Sequence, residues 1–140
     1  MRDEIARALA LGGSAVMAER TIDITTTGRT SGEPRRIEIV FYQHEGDVYL
    51  SGIPAPKMRS WLANLAAEPR FTFHLKNGAT ADLRAKATVI EDPKERRRIL
   101  SVFADQFQER RAAECPYPVA VLDEWVESSP LAKVAILEPD

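Results

Sequence analysis

Ile22-Asp23-Ile24-Thr25-Thr26-Thr27-Gly28-Arg29-Thr30-Ser31-Gly32-Glu33-Pro34-Arg35-Arg36-Ile37 is the stretch on which the fold turns. Apolar residues alternate at Ile22 and Ile24, then again at Ile37, Ile39 and Phe41. That is period-two patterning on both sides of a Gly/Pro-marked break, so two strands, near 21–27 and 36–44, meet at a hairpin tip. The tip offers backbone amides, hydroxyls and guanidinium forks, a set suited to a phosphate or carboxylate. Its glycines permit close backbone approach. Residues 28–36 carry three Arg and one Glu, a local charge of +2 in a chain of net charge −2. Read from composition, a solvated turn and an anion site both remain open.

Working outward, 140 residues can build one domain with a core that needs no staples. Apolar content of 44% and charged content of 29% put the chain in the ordinary globular class. The slightly acidic balance argues against a general nucleic-acid binder. The single cysteine, Cys115, excludes an intramolecular disulfide, and His44 and His74 give no metal-ligand spacing, so no metal site is expected. The small, apolar run from Ala8 to Ala18 is too short to span a bilayer as a helix. Asp3 and Glu4 acidify its flank and Gly12-Gly13 interrupts it, which favours an amphipathic leading helix over a secretion signal. A cytoplasmic protein without stable membrane insertion is expected.

Downstream, Glu45-Gly46-Asp47 makes a turn into a third strand, Val48 to Ser51. Pro54 and Pro56 then break regular pairing ahead of a short helix at about 57–67. Residues 70–76 alternate, Asn77-Gly78 signals a hairpin, and Ala81, Leu83, Ala85, Ala87 and Val89 alternate on the return. Asp92 is placed to cap a helix with Pro93 first and Glu95 at the capping-box position, and Ile99, Leu100, Phe103 and Phe107 form its apolar stripe. A short helix near 119–127 and a strand at 131–137 complete the chain. The pattern predicts an α+β, mainly β fold: a small antiparallel barrel of about six strands with covering helices. Its parts are a leading helix (1–20), a barrel core (21–90), a helical segment (92–128) and a final strand.

Spacing in the 57–67 helix puts Lys57, Trp61 and Asn64 on one face, with Met58, Leu62 and Leu65 as anchors on the next. From spacing alone, Trp61 as a core residue and Asn64 as a helix-end hydrogen-bonder is the favoured reading. Neither histidine has an obvious carboxylate partner in sequence. No phosphate-binding loop, nucleophile elbow or spaced acid pair is present.

The quoted hairpin also resembles the signature of deazaflavin-dependent nitroreductase-like oxidoreductases, split β-barrel proteins related to flavin reductases and pyridoxamine-phosphate oxidases. Ser60-Trp61-Leu62-Ala63-Asn64-Leu65, followed by Glu68-Pro69-Arg70, is similar to that family's Trp-x-x-Asn-Leu…Asn-Pro-Arg element. The resemblance runs from about residue 21 to 90, and more loosely to the final strand. It implies coenzyme F420, an 8-hydroxy-5-deazaflavin with a phosphate and an oligoglutamate tail, and hydride transfer to an electron-poor small-molecule acceptor such as a quinone, a nitro compound or an activated alkene.

Carried over residue by residue, Arg29, Thr30, Ser31, Gly32, Pro34, Arg35 and Arg36 would contact the tail and phosphate. Ser51 and Gly52 would approach the phosphate or ring, Lys57 would add a cation, and Trp61 and Asn64 would line the ring pocket. Tyr117 and Trp125 correspond to an aromatic cover over the substrate. Members often carry Lys where Thr30 and Gly52 stand, and Pro where Glu38 stands. Losing two cations keeps FMN, with its single phosphate, as the runner-up cofactor, and a non-catalytic flavin carrier as the alternative to an enzyme. The family includes homodimers and monomers, so a homodimer is among the expected partners. Because the chemistry is the cofactor's, no side-chain nucleophile is required.

Overall fold

The computed structural model describes residues 3–13, 17–52, 58–111 and 121–137. Six strands form a closed antiparallel barrel: β1 (Thr21–Thr27), β2 (Pro34–His44), β3 (Asp47–Ser51), β4 (Arg70–Leu75), β5 (Ala81–Val89) and β6 (Leu131–Ile136). Their order around it is β1-β2-β3-β6-β5-β4, and the short pairing of Asp23–Thr25 with Thr72–His74 closes the ring. The expected antiparallel barrel is therefore present, with β2 starting two residues earlier than its patterning suggested.

Alternation decides what fills it. Ile22 and Ile24 of β1, Phe41 of β2, Leu50 of β3, Phe71 and Phe73 of β4, and Leu83, Ala85 and Ala87 of β5 point inward and are buried. Phe41 and Phe73 meet edge to face at 5.3 Å, a geometry their ring quadrupoles favour. Each large side chain buried here contributes roughly 1.5–3 kcal/mol. At the end where β1 begins, the leading helix α1 (Asp3–Ala10) buries Ile5, Ala8 and Leu9. There the β4–β5 turn is tied down by Asn77, whose Nδ2 donates to the carbonyls of Ala18 and Thr21, both at 2.9 Å.

At the end where β1 finishes sits α2 (Ser60–Ala67), burying Trp61, Leu62, Asn64 and Leu65. It starts three residues later than expected, so Met58 precedes the helix and is 60% exposed instead of anchoring it. Glu68, extended ahead of Pro69, ends the helix because the ring disfavours helical backbone in the residue before it.

A second apolar cluster lies outside the barrel. α3 (Pro93–Arg111) and α4 (Val121–Ser128) cover the outer face of β2 and β3, bringing Ile99, Leu100, Phe103 and Trp125 against Tyr49 and Leu131. Phe103 stacks on Tyr42 at 4.4 Å. The side chain of Phe107 lies outside the described residues. Asp92 caps α3 through the Glu95 amide at 3.0 Å, while the Glu95 carboxylate pairs with Arg98 and leaves the capping box half made. Among the described residues, no helix is long and apolar enough to cross a membrane.

Candidate functional site

The tip between β1 and β2 is built around Gly28 and Gly32. The Gly28 amide donates to the Glu33 carbonyl and the Gly32 amide to the Gly28 carbonyl, both at 2.8 Å. A Cβ on Gly28 would stand 2.6 Å from the Ser31 hydroxyl, and Gly32 has φ +71, a conformation that costs glycine nothing. The Ser31 hydroxyl accepts from the Glu33 amide at 3.1 Å, which stiffens the turn.

Asn64 joins this tip to α2. It is 5% exposed, and its Oδ1 accepts from both the backbone amide and the Nη1 of Arg29, each at 3.1 Å. Its Nδ2 donates to the Thr26 hydroxyl at 3.2 Å. Arg29 is thereby held in one place, although its residue is exposed. A groove of about 520 Å³ opens between the tip and α2, lined by Arg29, Thr30, Ser31, Arg35, Trp61 and Asn64 together with Thr26, Gly28, Ile37 and Ser60. The volume lies in the range typical of small-molecule sites, about 300–1,000 Å³. Thr30 makes no hydrogen bond and Arg35 no ion pair among the described residues, so both keep donors for a ligand. The arrangement is a cationic, hydroxyl-bearing slot ending on an indole.

The other expected site residues divide. Gly32 and Pro34 face a different groove on the opposite side of the tip, beside Arg70 and Thr72. Arg36 corrects the expectation that all three arginines act together. Strand alternation turns it outward opposite Thr25, where its Nε donates to Asp23 at 3.1 Å, whereas Arg35 lies opposite the inward Thr26. The Ser51 hydroxyl is buried and donates to the Pro130 carbonyl at 2.8 Å, and Gly52 lies beside the same proline. Trp125 is 2% exposed in the outer cluster, because α4 turns it onto Tyr49 and Phe103 instead of over a ligand. Lys57 and Tyr117 lie outside the described residues.

Two features went unread in the sequence. Thr26 shares the inward phase of Ile22 and Ile24, so period two alone marks it as facing the site. His74 does have a carboxylate: its Nδ1 lies 2.7 Å from Asp82 Oδ1, and its Nε2 2.7 Å from the Thr25 hydroxyl. Because the Asp82 carboxylate only accepts, His74 Nδ1 carries a proton, and the Thr25 hydroxyl pairs with Nε2. This bridge lies on the outer face of the barrel. Beside it, Lys76 donates to Asp23 at 2.9 Å and to Glu38 at 2.5 Å. The Lys76 hydrogen bond, helped by that from Arg36 against the opposing cost of burial, holds the Asp23 carboxyl below its usual 3.8.

A six-stranded antiparallel barrel with a cationic slot at one end defines a protein of the split-barrel, flavin-reductase-like class. Residues 2–124 match the model of the F420H(2)-dependent quinone reductase family, and the chain belongs to that family. It is an F420-dependent oxidoreductase. No curated protein matches it.

Solved structures agree on the fold. The conserved hypothetical protein Rv2991 from Mycobacterium tuberculosis superposes with TM-score 0.62 at 20% identity, over 99% of this chain and 82% of its own. A putative 5-nitroimidazole antibiotic resistance protein from Bacteroides thetaiotaomicron gives 0.64 at 15% identity, covering 98% and 81%. An F420-H2 dependent reductase, FDR-A, gives 0.50 at 18% identity, covering 83% and 94%.

Proposed function

We propose that the tip groove seats the anionic phosphate and tail of F420 and that the protein reduces a small electron-poor acceptor, a quinone first, with nitro compounds and activated alkenes of the same reactivity. The observation that carries this reading is Asn64 Oδ1 gripping Arg29 by both amide and guanidinium, with Arg35 in the same slot making no ion pair among the described residues. A guanidinium fixed before the ligand arrives loses little freedom on binding, so its charge-assisted hydrogen bonds count nearly in full. Thr30 and Ser31 add hydroxyls beside it. Trp61, 9% exposed, supplies a flat apolar wall at the end of the slot, suited to hold an aromatic ring and keep water from one side of it.

When bound, the coenzyme supplies the hydride, and a quinone that takes this hydride and one proton becomes the hydroquinone. The chain's own contribution is position: charge at the tip fixes the appendage, and α2 fixes where the ring can lie.

Fluorescence titration with F420 tests this. Each charge-assisted hydrogen bond contributes about 1.5–3 kcal/mol, so Arg29→Ala with Arg35→Ala should weaken binding by about a hundredfold or more. Binding to the unaltered protein should also weaken with salt, since the slot is open to solvent. Unchanged affinity in the double variant overturns the reading. A parallel titration with FMN shows whether one phosphate satisfies the two arginines.

A further inference from the structure

The barrel wall opens where β1 and β4 part. The two strands pair only from Asp23 with His74 to Thr25 with Thr72, although β1 runs on to Thr27 and β4 begins at Arg70. A groove of about 530 Å³ lies in this gap, with Thr26 and Thr27 on one side and Arg70 and Phe71 on the other. It is across the tip from the slot proposed for the coenzyme, and among the described residues the two share only Thr26.

The charge on this groove is of one sign. Arg70 and Arg84 line it, and none of the described lining residues is acidic. Strand register adds a third cation. Lys86 of β5 stands directly opposite Arg70 of β4, and Arg84, opposite Thr72, lies on the diagonal from Arg70. Like charges at opposite positions on neighbouring strands repel, and diagonal positions are within reach of long side chains. Arg70 and Lys86 are exposed, and neither makes an ion pair among the described residues. Nearer the Asn77-Gly78 turn the same outer face alternates sign, where Lys76 meets Asp23 and Glu38 and His74 meets Asp82. The sheet therefore matches its charges up to the Thr25–Thr72 row and collects cations beyond it. Repulsion of this kind opposes folding, and a bound anion relieves it.

Neutral groups suit the same ligand. Thr27 and Thr72 are half-buried in the groove, and their hydroxyls make no hydrogen bond among the described residues. Leu137, 47% exposed, and Pro34 give it an apolar border. A guanidinium takes a phosphate or a carboxylate in bidentate fashion. The volume is that of a small-molecule site and leaves room for more than a bare ion.

We propose that this gap is a second anion site, separate from the coenzyme slot, for a small molecule that carries a phosphate or carboxylate on a short apolar body. Arg70 holds the oxyanion, Thr27 and Thr72 donate beside it, and Leu137 borders the body. Arg84 and Lys86 reinforce the positive field.

Phenyl phosphate and benzoate, which share a ring and differ in the anion, test this when titrated separately by calorimetry. The unaltered protein should bind at least one of them saturably, more weakly as salt rises. Binding of one or both shows whether phosphate, carboxylate or either is taken. Arg70→Ala and Arg70→Gln should each weaken that binding by about tenfold or more, the worth of a charge-assisted hydrogen bond. Neither should lower Tm, because each removes a repelling charge from an exposed position. Arg29→Ala with Arg35→Ala should leave the affinity for the probe unchanged, and Arg70→Ala should leave that for F420 unchanged. No saturable binding of either probe overturns the proposal, as does phenol held as tightly as the anions. Binding lost in the tip double variant but kept in Arg70→Ala would put the anion in the tip slot and also overturns it. So does F420 affinity that falls with that of the probe in Arg70→Ala, since the gap would then be part of the coenzyme's seat. The probe titrations need no coenzyme, so failure here and failure of the tip reading are told apart.

Discussion

The two faces of the first hairpin carry similar side chains and use them in opposite ways. On the outer face, Asp23, Arg36, Glu38, Lys76, His74 and Asp82 are joined to one another or to Thr25. On the inner face, at the tip, Arg29 is anchored but exposed and Arg35 is left without an ion pair among the described residues. A charge whose hydrogen-bonding capacity is used within the fold contributes to stability; one held in place with donors to spare is available to a ligand. The difference arises from strand phase, since Arg35 and Arg36 are adjacent and point to opposite sides.

Asn64→Leu would break this contrast most severely. The substitution keeps bulk but leaves the Thr26 hydroxyl and two Arg29 donors without their partner. The protein should lose about 2–3 kcal/mol, the cost of leaving buried polar groups unmet, read as a lower midpoint in urea. F420 affinity should fall by about tenfold or more as Arg29 loses its fixed position. If affinity holds while stability drops, Asn64 only supports the helix, and preorganisation of the tip is refuted.

The outer face predicts the converse. His74 is 7% exposed and ties β1 to β5 across β4. His74→Leu should cost about 1 kcal/mol of stability by removing the bond to Thr25, since the exposed Asp82 is taken up by water, and leave F420 affinity unchanged. A loss of coenzyme binding at constant stability would move this bridge into the functional site and erase the distinction between faces.

Much of this contrast could be read before the fold was seen, and the remainder shows where linear reasoning stops. Period two gave the hairpin, and its phase separates Arg35 from Arg36, yet grouping residues by charge hid that separation. The Asn77-Gly78 turn fixes the register that sets His74 opposite Asp82, so that pair was accessible to a reading of register and not to one of spacing along the chain. Asp92 capped its helix as its position implied. Trp125 and Ser51 were not accessible in this way. One depends on how α4 docks against the outer sheet and the other on a carbonyl contributed 79 residues later, and neither is encoded in local pattern.

Arg36→Ala sharpens the comparison with its neighbour. Its guanidinium faces Asp23 on an open surface, 58% exposed, where ion pairs contribute little. F420 affinity should stay within about twofold of the unaltered protein, far from the loss expected for Arg35→Ala. Equal losses from the two single substitutions would mean that the tail wraps both faces.

The smallest effect is one of pH, and it concerns only the outer face. The folded Asp23 carboxyl titrates below its usual 3.8, first because Lys76 donates to it and then because Arg36 does. A carboxyl whose pKa is depressed on folding binds fewer protons folded than unfolded in that interval, so its contribution is fully present above 3.8 and lost as pH falls through the lower folded value. The Tm difference between the unaltered protein and Asp23→Asn should therefore be constant near neutrality and close as the solution is acidified below that point. Among the described residues Arg29 and Arg35 face no carboxylate in the tip groove, so coenzyme affinity in Asp23→Asn should match the unaltered protein across the same range. A Tm gap that persists undiminished to the lowest pH at which the protein stays folded would show that Asp23 acts by shape and not by charge. The outer ladder would then lose its electrostatic account while the inner slot kept its own.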